Sequence, residues 1–527
     1  MNNQIIYILL ALTAGIATGE TGLGPLWSLI PAGSGIGGFL LTTLMSGNRR
    51  LRGLSRLHPL WTVLLFGGVG MFSDSLARPT QLPDLDSRCV RMAGRVEEVT
   101  HMETGDRLLL DVSRLATSEN IPGLSEYGDD GRSVNMKALV HSRRPGLRSG
   151  DIIEFDSKLR SLQSKGRRTD KDYITHLGRK GILYDAIALE KDVILTGHQS
   201  DIAIRARQWR SRMEQIVESC GLSADTRGFI ITLLTGDKSF TDERHRRNFA
   251  DAGVSHVLAV SGMHVGIVTS LLLFILYPMK YAGKRKWRYA AVIPLVWIYT
   301  WFTGMSPSTV RAAVMISFYF GAIILERRHS SLRALGWAAV LILIVSPRSV
   351  FDIGFQLSFL CVGSLIMFVE PLNLVDRHRH PRLYRVNSLI LVTLVASLSS
   401  WILSSYYFHR IALMFLPANI VAVPLLPLFV ALVILYLSLW TIGCPVGLLG
   451  SVIDSGYEAF CLLVDKIASC SMVAEDFTVG LPTVLIWISA LAAGGLFLNH
   501  QRTRRNMLVT IVLFAVAVVS IPLFRQS

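Results

Sequence analysis

Apolar runs of nearly bilayer-crossing length recur along this chain, and one charged block interrupts them. Before the block they cover 5–18, 23–44 and 58–76. After it they cover about 254–279, 289–304, 309–325, 334–346, 351–370, 387–406, 412–441, 478–498 and 507–524. A hydrocarbon core about 30 Å thick asks for roughly 20 helical residues. The composition agrees: 51% of the 527 residues are hydrophobic and 17% are charged, against about 25% charged in a soluble domain. The expected class is a polytopic α-helical membrane protein. The first run has no basic residue before it, so it lacks the positive region of a cleaved secretory signal.

The net charge of +15 suggests a nucleic-acid partner until its location is read. Five short loops hold most of it: Arg49–Arg56, Lys280–Arg288, Arg327–Arg333, Arg377–Arg385 and Arg502–Arg505. Short basic loops stay in the cytoplasm. The N-terminus is therefore expected inside a bacterial inner membrane, and the third run is expected to deliver the charged block, residues 78–252, to the outside. Six cysteines (Cys89, Cys220, Cys361, Cys444, Cys461 and Cys470) fall in none of the five inner loops. A disulfide on the oxidising side stays open, with no pairing deducible and no zinc-type spacing.

The block begins with β patterning. Leu108, Leu110 and Val112 alternate with Leu109, Asp111 and Ser113. Val134, Met136, Ala138 and Val140 share a face, and 151–155 follows a Pro145-Gly146 turn. Period-two alternation between turn residues marks strands. About five strands in roughly a hundred residues suit a small OB-type barrel, and SH3-like barrels and sandwiches share the pattern. Residues 202–220 then read as a helix lying along the outer membrane boundary.

Pro417, Pro424 and Pro427 predict a broken, re-entrant helix pair over 412–441, of the kind tolerated beside protein or a water-filled cavity. Asp454, Glu458, Asp465 and Lys466 make 446–470 an amphipathic surface helix rather than a span. Residues 407–411 and Glu475-Asp476 are then expected on the same, outer side.

The most unusual stretch is 234–268, which enters the membrane carrying His256, Ser261, Gly262, His264 and Gly266. Polar groups inside a span usually face a pathway or a partner helix. Gly262 and Gly266, four apart, are accounted for by helix packing. On one helix His256 and His264 would lie about 80° apart, and no carboxylate or thiolate joins them as a metal set.

This stretch resembles the signature of the ComEC family of competence proteins, the inner-membrane channels for transforming DNA. The family shows a GD pair and then HLLAISGLHVG. This chain has Gly236-Asp237 and then the eleven residues from His256 to Gly266, which differ conservatively at Val257, Val260 and Met263. Ser306-Pro307-Ser308-Thr309-Val310-Arg311-Ala312 resembles the family's SPS-x-x-RA element. The stretch from Asp352 through Gln356 to Phe359 resembles its D-x-G-F-Q-LSF element, and that from Pro417 through Asn419 to Pro424 its broken-helix segment. Asp172-Tyr173, Leu177 and Gly181-Ile182 are similar to the end of the family's OB domain, although the usual NPG is absent.

The resemblance implies a division into a three-span region at 1–77, an extracytoplasmic OB-like domain at 78–200, amphipathic helices with the GD pair at 201–253, and a channel domain at 254–527. It implies import of single-stranded DNA during transformation, with no cofactor and with partners in the bilayer, other uptake proteins and a cytoplasmic motor. Many members end in a metallo-β-lactamase-like domain with an HxHxDH motif. Here His378-Arg379-His380 matches only its start, within a basic loop, so no nuclease activity is expected and a separate nuclease would be a partner. An OB domain takes single strands by base stacking and backbone contacts. Lys158, Arg160, Lys165, Arg167, Arg168, Lys171, Tyr173, Arg179 and Lys180 are the candidates, and a solvated surface is the bland alternative. Arg311, among apolar residues, either lines a conduit for phosphates or pairs with Asp352. Two rival readings are a small-solute transporter, which broken helices would also suit, and a membrane-embedded hydrolase using His256, His264 and Asp237. The hydrolase lacks an activated nucleophile, and the transporter has no use for an external DNA-binding domain.

Overall fold

The computed structural model describes residues 3–19, 30–34, 36, 58–77, 89–102, 105–117, 125–126, 132–144, 146–162, 177–178, 182–188, 193–199, 201–236, 240–258, 260–281, 284–326, 331–412, 414–470, 473–475, 477, 479–499 and 504–523. They form two compact units, 1–209 with 336–352, and 210–335 with 353–527.

In the first unit, helices α1 (Asn3–Gly19) and α2 (His58–Ala77) pack face to face. A Cβ on Gly15 would run into the backbone carbonyl of Gly67, and one on Gly70 would meet Leu12 O. Small residues let apolar helices approach this closely where no hydrophobic drive exists between them. Near the end of α2, Asp74 is fully buried and lies 3.5 Å from Arg348 Nε.

The charged block folds as the alternation predicts. The strands are β1 (Cys89–Met102), β2 (Gly105–Thr117), β3 (Ser125–Glu126), β4 (Arg132–Ser142), β5 (Asp151–Lys158), β6 (Arg160–Ser161), β7 (Ile182–Ala188) and β8 (Ile194–His198). Seven lie in the order β6-β7-β4-β2-β1-β5-β8, and β3 pairs with β2. Among the five long strands every pairing is antiparallel except β4 with β7. Alternate residues Ile153 and Phe155 of β5 point inward with Met92, Leu108, Leu110 and Met136 into one apolar core. Strand β1 carries an irregularity at Ala93/Gly94, where a Cβ on Gly94 would sit 2.6 Å from Asp111 O. Such a bulge bends the strand and lets β1 serve both β2 and β5. The sheet curls until β5 and β7 meet: Ser157 Oγ donates to Ile187 O (3.0 Å) and accepts from Ile187 N–H (3.3 Å).

The second unit is helical. Helix α3 (Ile202–Glu218) leads in from the first unit. Then come α4 (Ala224–Thr235), α5 (Glu243–Asp251), a 3-10 turn at Ser255–Leu258, α6 (Gly262–Ile275), α7 (Arg285–Phe302) and α8 (Pro307–Ile324). Helix α9 (Ser331–Val345) leads back toward the first unit. They are followed by α10 (Ile353–Leu372), α11 (Pro381–Phe408), α12 (Phe415–Thr441), α13 (Gly447–Ser469), α14 (Leu481–Asn499) and α15 (Arg504–Leu523). Among the described residues six helices are long and apolar enough to cross a membrane: α8, α10, α11, α12, α13 and α14.

Three expectations need correction. The apolar run beginning at 254 is not one helix: α6 starts at Gly262, and His256 lies in the preceding turn. The 412–441 run is not broken. It is one helix with Pro424 and Pro427 inside it, and the return to the outer strand is made by α13. Strand β9 (Arg410–Ala412) pairs with β10 (Val473–Glu475), which keeps the expected shared side for the two ends. Helix α13 is apolar on its outward positions too, with Leu448 and Leu462 exposed. Its acids face inward: Asp454 accepts from Ser223 N–H (3.1 Å), and Asp465 accepts from the Asn248 amide (2.8 Å). All six cysteines are free, so the disulfide left open by the sequence is absent.

Candidate functional site

Local sequence rules place the unusual stretch. Ser223 caps α4 by accepting from Thr226 N–H (3.3 Å), and Gly236 ends it at φ +77°, a left-handed cap that glycine takes without a Cβ clash. The Gly236 turn packs on the second half of the same motif: a Cβ there would lie 3.5 Å from Val260 Cγ2. Its neighbour Asp237 lies outside the described residues.

Ser261 then caps α6. Its backbone N–H donates to His264 Nδ1 at 3.2 Å, the reciprocal contact that Glu or Gln usually makes in a capping box. A backbone N–H can only donate, so Nδ1 is the acceptor and the neutral ring carries its proton on Nε2. That Nε2 is buried with no acceptor among the described residues. His264 is 1% exposed, whereas His256 is exposed. Part of the role sought for the histidines is therefore structural, the capping of α6 by His264.

The glycines separate. A Cβ on Gly262 would touch the Ala312 methyl at 3.5 Å, so Gly262 packs α6 on α8 as expected. Around Gly266 a Cβ would meet nothing, which overturns the packing reading for that residue. Gly266 opens instead onto an apolar groove of about 610 Å³ between α6 and α12, with Met263, Ile267, Pro427, Val430 and Ile434 among its walls.

The Ser306 hydroxyl caps α8 by accepting from Thr309 N–H (3.4 Å), with Pro307 at the first helical position, where its missing N–H costs nothing. This fixes the first turns of α8 and sets Arg311, 8% exposed, next to the Gly262–Ala312 contact. Arg311 and Asp352 each have interaction partners. From α12, Ala418 and Ala422 enter the same apolar core as Val257 and Leu258 of the His256 turn. Asn419, nearly buried, donates its amide to Phe415 O (2.8 Å) one turn earlier, and Pro424 lies in the helix beyond. Gln356 accepts from the Tyr407 hydroxyl at 3.0 Å on the α10–α11 pair, and no direct contact joins it to the His264 turn. Four of the motif elements thus gather around the start of α6, and the element containing Gln356 stands apart.

Of the sheet candidates, Lys158 and Arg160 are exposed at the end of β5 and in β6. Lys165, Arg167, Arg168, Lys171, Tyr173, Arg179 and Lys180 lie outside the described residues. Sequence reading missed Asp74, a lone carboxylate in an apolar run, although that is itself a signal of a buried partner.

The family described as Competence protein matches residues 233–505. The chain is 30% identical over 205 residues to ComE operon protein 3 of Bacillus subtilis, covering 38% of this chain and 25% of that one. It is 27% identical over 261 residues to Competence protein ComA of Neisseria gonorrhoeae, covering 45% and 37%. It is 23% identical over 304 residues to Recombination protein 2 of Haemophilus influenzae, covering 54% and 36%. The aligned segments span a quarter to just over a third of the length of these relatives. No solved structure matches the chain. With six long apolar helices this is a multi-pass membrane protein. The family match covers just over half of the chain and takes in the GD turn, the His264 cap and the Arg311 helix, so the chain belongs to the ComEC family of competence proteins.

Proposed function

We propose that the chain is the membrane conduit through which single-stranded DNA enters the cell during transformation, and that it acts as a channel rather than an enzyme. The observation that carries this reading is the gathering of four family motifs around the start of α6, inside the segment shared with competence proteins. The partners are then single-stranded DNA, the bilayer, a cytoplasmic motor and a separate nuclease. Labelled DNA entering a strain that lacks the protein, with and without the gene restored, tests it. Uptake that does not depend on the gene would reject it.

The outer domain is read as an OB barrel. Its long strands run β7-β4-β2-β1-β5, with β4 and β7 parallel and the β5 and β7 edges meeting. This connectivity supports the OB reading over a sandwich, whose sheets stay separate. OB barrels bind oligonucleotides on the faces of strands 2 and 3 and with the loop between strands 4 and 5. That loop, from β5 to β7, holds Arg160 and the other basic candidates up to Lys180. Purified residues 80–198 should therefore bind single-stranded oligonucleotides, with affinity falling steeply as salt rises. No binding at low salt would move the DNA contact into the membrane region.

The orientation has support from contacts between helix ends. Lys286 pairs with Glu326 at 2.7 Å, and Asn499 donates to Met367 O at 2.9 Å, all at ends read as cytoplasmic. Thr483 meets Ser520 and β9 meets β10 at ends read as external. Reporter fusions near Glu119 and near Lys284 should report opposite sides of the membrane. The same side for both would reject the proposed topology.

A further inference from the structure

Helix α5 stands immediately before the His256 turn, and its two faces do different work. Phe249 is fully buried, its ring 5.6 Å from Phe460 and 6.2 Å from Phe229. Asn248 is held by Asp465, and the His245 ring lies 6.5 Å from Tyr457. These residues, at helical spacing, pin one face of α5 to α13 and α4. The other face presents Arg244 and Arg247 exposed, with Arg246 half-buried beside them. Arg247 pairs with Glu243 at 2.6 Å, with side chains 75% and 66% exposed. An exposed pair one helical turn apart is worth only about 0.3–0.5 kcal/mol, so a stronger anion displaces it easily. Arg246 Nε is buried without an acceptor. The acids of the segment sit at its ends, Asp242 and Glu243 before the arginines and Asp251 after them.

On the proposed topology these arginines are out of place. Basic residues within about 20 residues of a span are retained in the cytoplasm, and nearby acids do little to offset them. Arg244, Arg246 and Arg247 lie that close to Gly262, where α6 begins, yet the reading puts them outside. Such a conflict persists only where the charge has a use. Guanidinium groups are suited to phosphate by their fork of donors. The helix runs directly into the exposed His256 and the motif turn.

We propose that Arg244, Arg246 and Arg247 form a phosphate-contact strip that receives the incoming strand's backbone and hands it to the His256 turn. This rests on the DNA-conduit reading and adds a second contact site, separate from the β5–β7 loop.

The test uses the full-length protein in phosphatidylcholine nanodiscs and a fluorescent oligothymidylate, titrated at several salt concentrations. Each phosphate contact on a single strand contributes about 0.7 to the slope of log affinity against log salt. The variant Arg244→Gln with Arg246→Gln and Arg247→Gln should lose about 2 from that slope and bind at least tenfold more weakly at low salt. The corresponding triple lysine variant should keep the wild-type slope. Arg244→Gln and Arg247→Gln, both at exposed positions, are also measured singly, and each should lose about one third of the effect even if the triple variant fails to fold. A glutamine variant with wild-type slope and affinity would overturn the strip and leave the conduit reading intact. The strip would equally be overturned if that variant bound DNA normally but lost retention on vesicles of anionic lipid, since the arginines would then hold headgroups. Failure of the wild-type protein itself to bind the oligothymidylate would reject both proposals.

Discussion

Replacing Arg348 with methionine should destabilise the protein by about 3–5 kcal/mol, because it strands a carboxylate that has no route to water. Asp74 is fully buried near the end of α2, and Arg348 Nε approaches it at 3.5 Å from the turn after α9. Arg348 keeps 23% of its side chain exposed, so the two partners are not equivalent. Removing the arginine leaves a buried charge, whereas Asp74→Asn leaves a cation that can still reach water. The expected order of loss is therefore Arg348→Met first and Asp74→Asn well behind it. Joining the two changes should recover most of what Arg348→Met loses. Thermal unfolding in detergent, read beside membrane abundance, checks this. An Arg348→Met protein that melts with the wild type would show that the pair contributes nothing.

What the sequence made legible depended on how local the signal was. The alternation in 107–114 and 151–155 is a property of neighbouring residues, and both segments are strands with the expected faces buried. The start of α6 was misread for the opposite reason. Apolar residues run without a break from Val254, and the helix begins at Gly262 only because Ser261 and His264 cap each other. That box is hard to see because histidine stands where Glu or Gln usually does. The prolines of α12 were read as a break. In an apolar segment neighbouring helices and small local adjustments absorb the lost backbone bonds, and the helix continues through Pro424 and Pro427.

The acids of α13 were misread because their partners are distant in sequence. Asp454 accepts from a residue 231 positions earlier, and Asp465 from one 217 positions earlier. Charge in an apolar helix was therefore taken for a wetted face when it caps α4 and anchors α5. The family motifs could be matched as strings. That Gly236 would rest on Val260, and Gly262 on Ala312, is tertiary information that spacing does not carry.

Arg311→Gln should reduce DNA uptake at least tenfold while leaving the protein in the membrane at its normal level. The arginine sits in the first turns of α8, 8% exposed, one residue from the Ala312 methyl on which Gly262 packs. A cation placed in an apolar helix costs about 2.5–3.5 kcal/mol on insertion scales, less where water or an anion reaches it. A cost of that size implies a use. If the use is phosphate contact, Arg311→Lys keeps the charge but loses the forked donor geometry, and uptake should fall only partly. If the use is an internal ion pair, with Asp352 as the carboxylate the sequence offers, abundance behaves differently. Arg311→Gln and Asp352→Asn should then each lower the amount of protein, and the double variant should restore it. Abundance and uptake must be read together, because a channel that is absent and one that does not conduct give the same uptake. Restoration of both quantities in the double variant would make Arg311 a structural residue and remove it from the conduit. Normal abundance with lost uptake in both Arg311→Gln and the double variant would place its charge on the path of the strand.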